Sequence, residues 1–279
     1  MNDAERLDAS TVMRRAGPID SATEAIGRAL PNPLAARLAR SAGPCARIAL
    51  AAGTRVLAFS ALAFVVAFGT LILLFRIVDP PASMLMIGQR LQGFPVEQRW
   101  VALERVSPHL VRAVVMAEDA RFCRHWGVDF AELEAALAKA ERRGDEIARG
   151  GSTLTMQVAK NLFLWPGKSY LRKGLEIVLA FGLEVLWRKD RILEVYLNLA
   201  EWGPGVFGAE AAARYHFRTS AARLSPRQAA LLAASLPNPF DRIAGRPGPG
   251  TQRLALVIER RMAAAASATA CVRLRCCRG

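Results

Sequence analysis

The chain has 279 residues, 52% of them apolar, enough for one substantial domain and a membrane segment. Its 38 Lys and Arg outweigh 24 Asp and Glu, giving a net charge of +14. Such a field attracts nucleic acid, an anionic bilayer or a phosphate-bearing substrate, unless it is only a generic basic surface. The five cysteines (Cys45, Cys123, Cys271, Cys276, Cys277) have spacings that exclude a zinc site and fit no disulfide scaffold, and His109, His125 and His216 are too scattered for a metal cage.

In chain order, residues 1–55 come first. They are rich in Gly, Pro, Ala and Arg and read as a disordered cytoplasmic tail. Val56–Phe75 is a run of 20 residues without a charge, closed by Arg55 and Arg76. As a helix it covers about 30 Å, the hydrocarbon thickness of a bilayer. A buried core helix is the alternative, and the long preceding segment argues against a cleaved signal peptide. Residues 36–55 hold four arginines and no acid, whereas residues 76–95 hold two arginines and Asp79. The positive side faces the cytoplasm, so the chain after Arg76 is expected outside.

Pro80 and Pro81 end the anchor and open a linker over 76–95, whose stretch Met84–Phe94 is a candidate for docking on the bilayer. A mainly α domain is expected over 96–265. Ser107-Pro108 and Ser225-Pro226 read as helix N-caps with proline in the first turn. Helical patterns cover 129–143, 169–187 (with Leu171, Leu175, Val178, Leu179, Leu183 and Leu186 on one side), 189–200 and 210–217. Strand-like alternation is scarce. The basic tail 266–279 is expected to be disordered.

Four blocks carry candidate chemistry. The first is Glu118-Asp119 with Phe122, His125 and Gly127: two acids where an apolar helix meets a loop, a position suited to a general base, though also to a plain helix-terminal pair. The second, Gly150 to Asn161, joins two glycines, Ser152, Thr153, Gln157 and Lys160 at a helix start. Backbone N–H groups there bind phosphates, and an ordinary capped turn is the other reading. In the third, Arg172 and Glu176 share a helix face, as a surface pair would, but on an apolar helix. The fourth, Lys189 to Asn198, reads as core with Glu194 and Asn198 as braces.

In this order the blocks resemble the peptidoglycan glycosyltransferase family (family 51), a domain also found in bifunctional class A penicillin-binding proteins. The match runs from Glu118 to Asn198 and more loosely to Pro239. Met156 departs from the family's usual glutamine, with consequences expected for substrate packing. No Ser-x-x-Lys or Lys-Thr-Gly of a transpeptidase occurs, which suggests the monofunctional form.

The resemblance implies a lysozyme-like, mainly α fold and polymerisation of lipid II into β-1,4 glycan by inverting transfer, with undecaprenyl pyrophosphate leaving. It implies that Glu118 is the base and Glu176 the second catalytic acid. Asp119, Phe122, His125, Thr153, Gln157, Lys160, Asn161 and Arg172 bind substrate by the same analogy. A divalent cation such as Mg2+ would travel with the pyrophosphate. Partners would be lipid II, the growing strand, the cytoplasmic membrane and cell-wall or division proteins, with no nucleic acid. A lytic hydrolase would also use two carboxylates, but it has no pyrophosphate to meet Lys160 and Arg172. A non-catalytic scaffold would not need both Glu118 and Glu176.

Overall fold

The structure, a computed structural model, describes residues 44–144, 150–167 and 169–272. Residues 1–43, where most of the cytoplasmic tail was expected, lie outside these. The first helix, α1, spans Pro44–Phe75, and its part Ala52–Phe75 is long and apolar enough to cross a membrane. Val56, Leu57, Phe59, Leu62 and Val65 are exposed along it, a surface suited to lipid rather than water. The chain divides into two compact units, one up to Ala67 and one from Phe68 on.

The second unit is mainly helical. It contains α2 (Met84–Leu91), β1 (Glu97–Gln98), a 3-10 turn (Leu103–Arg105), α3 (Pro108–Glu118), α4 (Phe130–Arg143), α5 (Leu154–Phe163), α6 (Tyr170–Leu186) and α7 (Lys189–Leu199). Then follow β2 (Glu201–Gly203), β3 (Val206–Phe207), α8 (Ala209–Phe217), a 3-10 turn (Ala221–Arg223), α9 (Pro226–Ser235) and α10 (Pro249–Met262). The expected caps form. The Ser107 hydroxyl accepts from the His109 N–H ahead of α3, Asp129 caps α4, and Ser225 with Gln228 makes a capping box on α9.

Two helical groups build the core. Helix α3 packs on α9 and α10, and α5 packs on α6 and α7. The run Ala229 to Ala234 in α9 is wholly buried, its small side chains letting neighbouring helices approach closely. In α10, Thr251, Ala255, Ile258 and Met262 face inward at helical spacing. The three strands form one small sheet in the order β1-β3-β2, parallel between β1 and β3 and antiparallel between β2 and β3. Asn198 fastens it: its side chain accepts from the Val101 N–H at 2.8 Å and donates to the Val101 carbonyl at 2.9 Å, while its own carbonyl accepts from Gln98. Glu194 accepts from the Leu103 N–H at 2.8 Å. These two braces therefore hold the segment before α3.

The end of α1 is fastened to the domain. Carbonyl groups in a last helical turn lack intrahelical partners. Trp187 Nε1 donates to the Ile72 carbonyl at 2.7 Å, and the Arg191 guanidinium donates to the carbonyls of Phe75 and Val78 while pairing with Asp79 at 2.9 Å.

Three expectations are corrected. The segment 76–95 is more than a linker, because it carries α2 with Met86 and Ser83 fully buried. Helix α6 turns Glu176, Ala180 and Leu183 inward, leaving Leu171 at 72% and Val178 at 67% exposure, so the leucine stripe is rotated from the buried face. The tail beyond α10 is ordered by burial up to residue 272. Ala265, Ala268, Thr269 and Val272 are buried, and Cys271 forms a disulfide with Cys123 despite the unpromising cysteine spacing. The remaining tail, with Cys276 and Cys277, lies outside the described residues.

Candidate active site

Glu118 is the last residue of α3, where the helix stops and the chain turns into the loop 119–127. Its side chain is half-buried and lines a cavity of about 220 Å³ together with Arg121, Glu132, Gly151, Ser152 and Arg261. Burial raises its pKa above the ordinary carboxylate value, and Asp119 adds to this. A hydrogen bond from Gln157 and the charge of Lys160 oppose the rise.

Gln157 is oriented from behind. Tyr196 is buried, and desolvation with the nearby acids raises its pKa well above the phenolic value, so it stays a neutral donor. Its hydroxyl lies 3.5 Å from Gln157 Oε1, which turns Nε2 toward Glu118 Oε2 at 2.9 Å. Tyr196 was read from sequence only as core.

Lys160 lies one turn beyond Gln157 on α5, with Asn161 beside it, both half-buried. Burial lowers the Lys160 pKa, Arg172 and Lys173 lower it further, and Glu176 and Glu118 raise it. It therefore lies within electrostatic reach of both the base and the α6 cations. Those cations are held by Glu176, which is 3% exposed. One of its oxygens accepts from Arg172 at 2.5 Å and the other from Lys173 at 3.2 Å, while Lys173 also donates to Ser152. Arg172 Nε is buried without a partner. Lys173 was missed as a contributor, although it adjoins Arg172 in the same block.

The other expected ligands form the framework. Asp119 accepts from the Leu154 N–H at 3.0 Å and from His125 Nε2 at 2.9 Å, so it caps α5 and clamps its own loop. A carboxylate only accepts, which puts a proton on His125 Nε2. Phe122 has no exposed surface and lies under the Lys189 ammonium, 4.4 Å from its ring centre. The Thr153 hydroxyl donates to the Gly127 carbonyl and accepts from the Met156 N–H. Asp119, Phe122, His125 and Thr153 are thus largely buried and brace the site, with Asp119 and Thr153 also lining the cavity beside Glu118.

At the start of α5 the N–H groups of Leu154 and Met156 are taken by the side chains of Asp119 and Thr153, while Gly151, Ser152 and Thr153 line the cavity. Met156 is fully buried in a cluster with Val128 and Ala180, so its departure from glutamine alters core packing rather than the cleft. Sequence reading also missed Glu184, whose side chain is 5% exposed and accepts from Thr155 at 2.6 Å and from Lys189 at 2.7 Å. Its signal was a lone acid in the apolar run Leu179 to Trp187.

No group of three or more metal-ligating side chains occurs among the described residues, and both Glu176 oxygens are taken by Arg172 and Lys173. These residues do not fit a resident divalent cation.

A half-buried base at a helix end, within electrostatic reach of Lys160 on α5, which in turn neighbours the Arg172 and Lys173 cations of α6, is an arrangement suited to group transfer from an anionic leaving group. The chain belongs to the transglycosylase family, whose model, described as Transglycosylase, matches residues 86–262. It is 53% identical over 194 residues to the biosynthetic peptidoglycan transglycosylase of Agrobacterium fabrum, covering 69% of this chain and 84% of that protein. It is 54% identical over 190 residues (68% and 81%) to the protein so named from Rhodospirillum centenum, and 52% over 202 residues (72% and 88%) to that from Nitrobacter winogradskyi.

Proposed function

We propose that this chain is a peptidoglycan glycosyltransferase that polymerises lipid II into glycan strands, with Glu118 as base and Lys160 and Arg172 facing the leaving pyrophosphate. The observation that supports this reading is that Lys160 lies within electrostatic reach of both Glu118 and the ion-paired Arg172–Glu176–Lys173 group.

The donor is the growing strand, linked through C1 of its terminal MurNAc to a lipid pyrophosphate. Glu118 takes the proton from the acceptor GlcNAc 4-hydroxyl. That oxygen bonds to C1 from the face opposite the pyrophosphate, the C1–O bond breaks, and the pyrophosphate leaves with the electron pair. Inversion gives the β-1,4 link. Burial strengthens the base by raising its pKa, and Gln157 keeps it ionised and aimed. Cations meet the charge growing on the leaving group, in a site dry enough for them to count. Glu176 touches the cations rather than the substrate, so it is a positioning residue. Any divalent cation would be carried by the pyrophosphate and not by the protein.

The domain lies outside the cytoplasmic membrane and against it. The arginine bias before α1 supports this orientation. So does the Cys123–Cys271 disulfide, a bond that persists in oxidising compartments. The exposed stripe Leu171, Val178 and Val185 on α6, a helix whose end is fastened to the anchor through Trp187, supports proximity to lipid.

The test is incubation of the purified chain with labelled lipid II and electrophoresis of the products. Glycan ladders that vanish in Glu118→Gln and are blocked by moenomycin support the reading. Ladders unchanged in Glu118→Gln overturn the assignment of the base. Sugar release from intact wall without ladders points to a hydrolase instead.

A further inference from the structure

A second cavity, of about 510 Å³, shares no lining residue with the one at Glu118. That volume lies within the range of about 300–1,000 Å³ usual for ligand sites. Its wall includes Arg124, Trp126, Glu184, Trp187, Arg188 and Lys189. We propose that this cavity binds the phosphate headgroup of an anionic phospholipid from the bilayer that holds α1.

Position is the first argument. Trp187, in the wall of this cavity, donates its indole N–H to the Ile72 carbonyl. Ile72 is three residues from the end of the span Ala52–Phe75, about 5 Å along a helix axis. Arg191, three residues after Arg188, holds the same end through the carbonyls of Phe75 and Val78. The headgroup layer on each side of the hydrocarbon is about 5–8 Å thick. The wall at Trp187 and Arg188 therefore stands at the level where hydrocarbon gives way to headgroups. Trp126, in the same wall, is 70% exposed, and tryptophan is the side chain that concentrates at membrane–water interfaces.

Charge is the second argument. Lys189 and Glu184 pair at 2.7 Å and together add no net charge. Arg188 is held only by its near neighbour Asp190, in an exposed pair of the kind that is worth little in water. Arg124 is exposed and, among the described residues, has no ion pair. The cavity thus offers two arginines beside an aromatic surface. A guanidinium donates two parallel hydrogen bonds to a phosphate, and basic pockets beside membrane helices take lipid headgroups for this reason. A neutral sugar would leave both arginines without a counter-charge.

This inference goes beyond the polymerase reading and needs only that α1 spans a bilayer. Full-length protein in detergent is mixed with phosphatidylglycerol or phosphatidylcholine, and retained lipid is counted by native mass spectrometry. One phosphatidylglycerol per chain is expected to stay bound at concentrations where phosphatidylcholine does not. Arg124→Gln and Arg188→Gln should each weaken retention about fivefold, and together about 25-fold. Arg253→Gln with Arg260→Gln removes the same charge from α10 and should retain lipid as the wild type does. Melting curves check that every variant is folded. Equal retention of the two lipids overturns the proposal. So does wild-type retention in the Arg124 and Arg188 variants, or an equal loss in the α10 pair. Displacement by moenomycin would put the lipid in the catalytic cleft, displacement by inorganic phosphate would make this a free-anion site, and displacement by soluble glycan fragments would make it a site for the product strand. Each of the three overturns the proposal. Absence of ladders in the lipid II assay strikes the polymerase reading alone.

Discussion

Replacing Glu176 by Gln removes one negative charge and almost no volume. The carboxylate is 3% exposed and pairs with Arg172, 11% exposed, and Lys173, 31% exposed. Breaking a buried pair from one side costs about 3–5 kcal/mol, because the partner charges stay buried and unpaired. Gln still accepts a hydrogen bond and Lys173 reaches solvent, which puts the expected loss near the lower end, about 3 kcal/mol. In a domain of this size that lowers the melting temperature by about 6–12 °C. A second, independent effect falls on Lys160. Its pKa is already below the ordinary lysine value, chiefly from burial, and Glu176 is the largest influence raising it. Without that charge the pKa falls further, so the alkaline limb of the pH–rate profile moves to lower pH. The assay is a thermal melt together with kcat on lipid II between neutral and alkaline pH. A variant that melts within 1 °C of the wild type and keeps its alkaline limb would refute the claim that Glu176 compensates these cations.

Three further outcomes follow from named contacts. The acid limb of kcat should lie above the ordinary carboxylate pKa, with activity present above the raised Glu118 pKa and lost as pH falls through it. Gln157→Ala should move that limb higher still, because the Gln157 hydrogen bond lowers the Glu118 pKa; a limb that moves down would contradict the geometry. His216 accepts from the Gly245 N–H through Nδ1 and so donates through Nε2 to the Trp202 carbonyl at 2.8 Å, and burial lowers its pKa from 6.5. Its contribution to stability is complete above about pH 6.5 and is lost as pH falls toward the lower folded value. Urea midpoints measured from pH 7.5 to 5 should drop more steeply in the wild type than in His216→Gln. Gly127 has φ +78°, and an added Cβ would stand 2.9 Å from the Ala180 carbonyl oxygen, so Gly127→Ala should cost roughly 1–3 kcal/mol in chemical denaturation and impair the catalytic loop.

Much of the site could be read along the chain because its parts are local. Glu118 closes a helix whose start is set by Ser107-Pro108, Gln157 and Lys160 share a face of one helix, and Arg172 and Glu176 are i, i+4. Local spacing could not separate ligands from framework. Asp119, His125 and Thr153 look as polar as Lys160 in sequence, and only the fold reveals that Asp119 is tied to His125 and Leu154 and Thr153 to Gly127. Met156 is the same case in reverse, a departure that matters little once it is seen to face Val128 and Ala180.

The sequence by itself determined the apolar span, the helix starts and the identity of the acid and the cations, because charge, hydropathy and capping act over a few residues. Tertiary structure alone decided which side of α6 is buried, that Arg261 of α10 joins the cavity lining, and that Cys123 meets Cys271. Each of these depends on contacts between residues far apart in the chain. The three-stranded sheet belongs here too, since strands of two and three residues leave no alternation to read and are specified by partners such as Asn198 and Glu194.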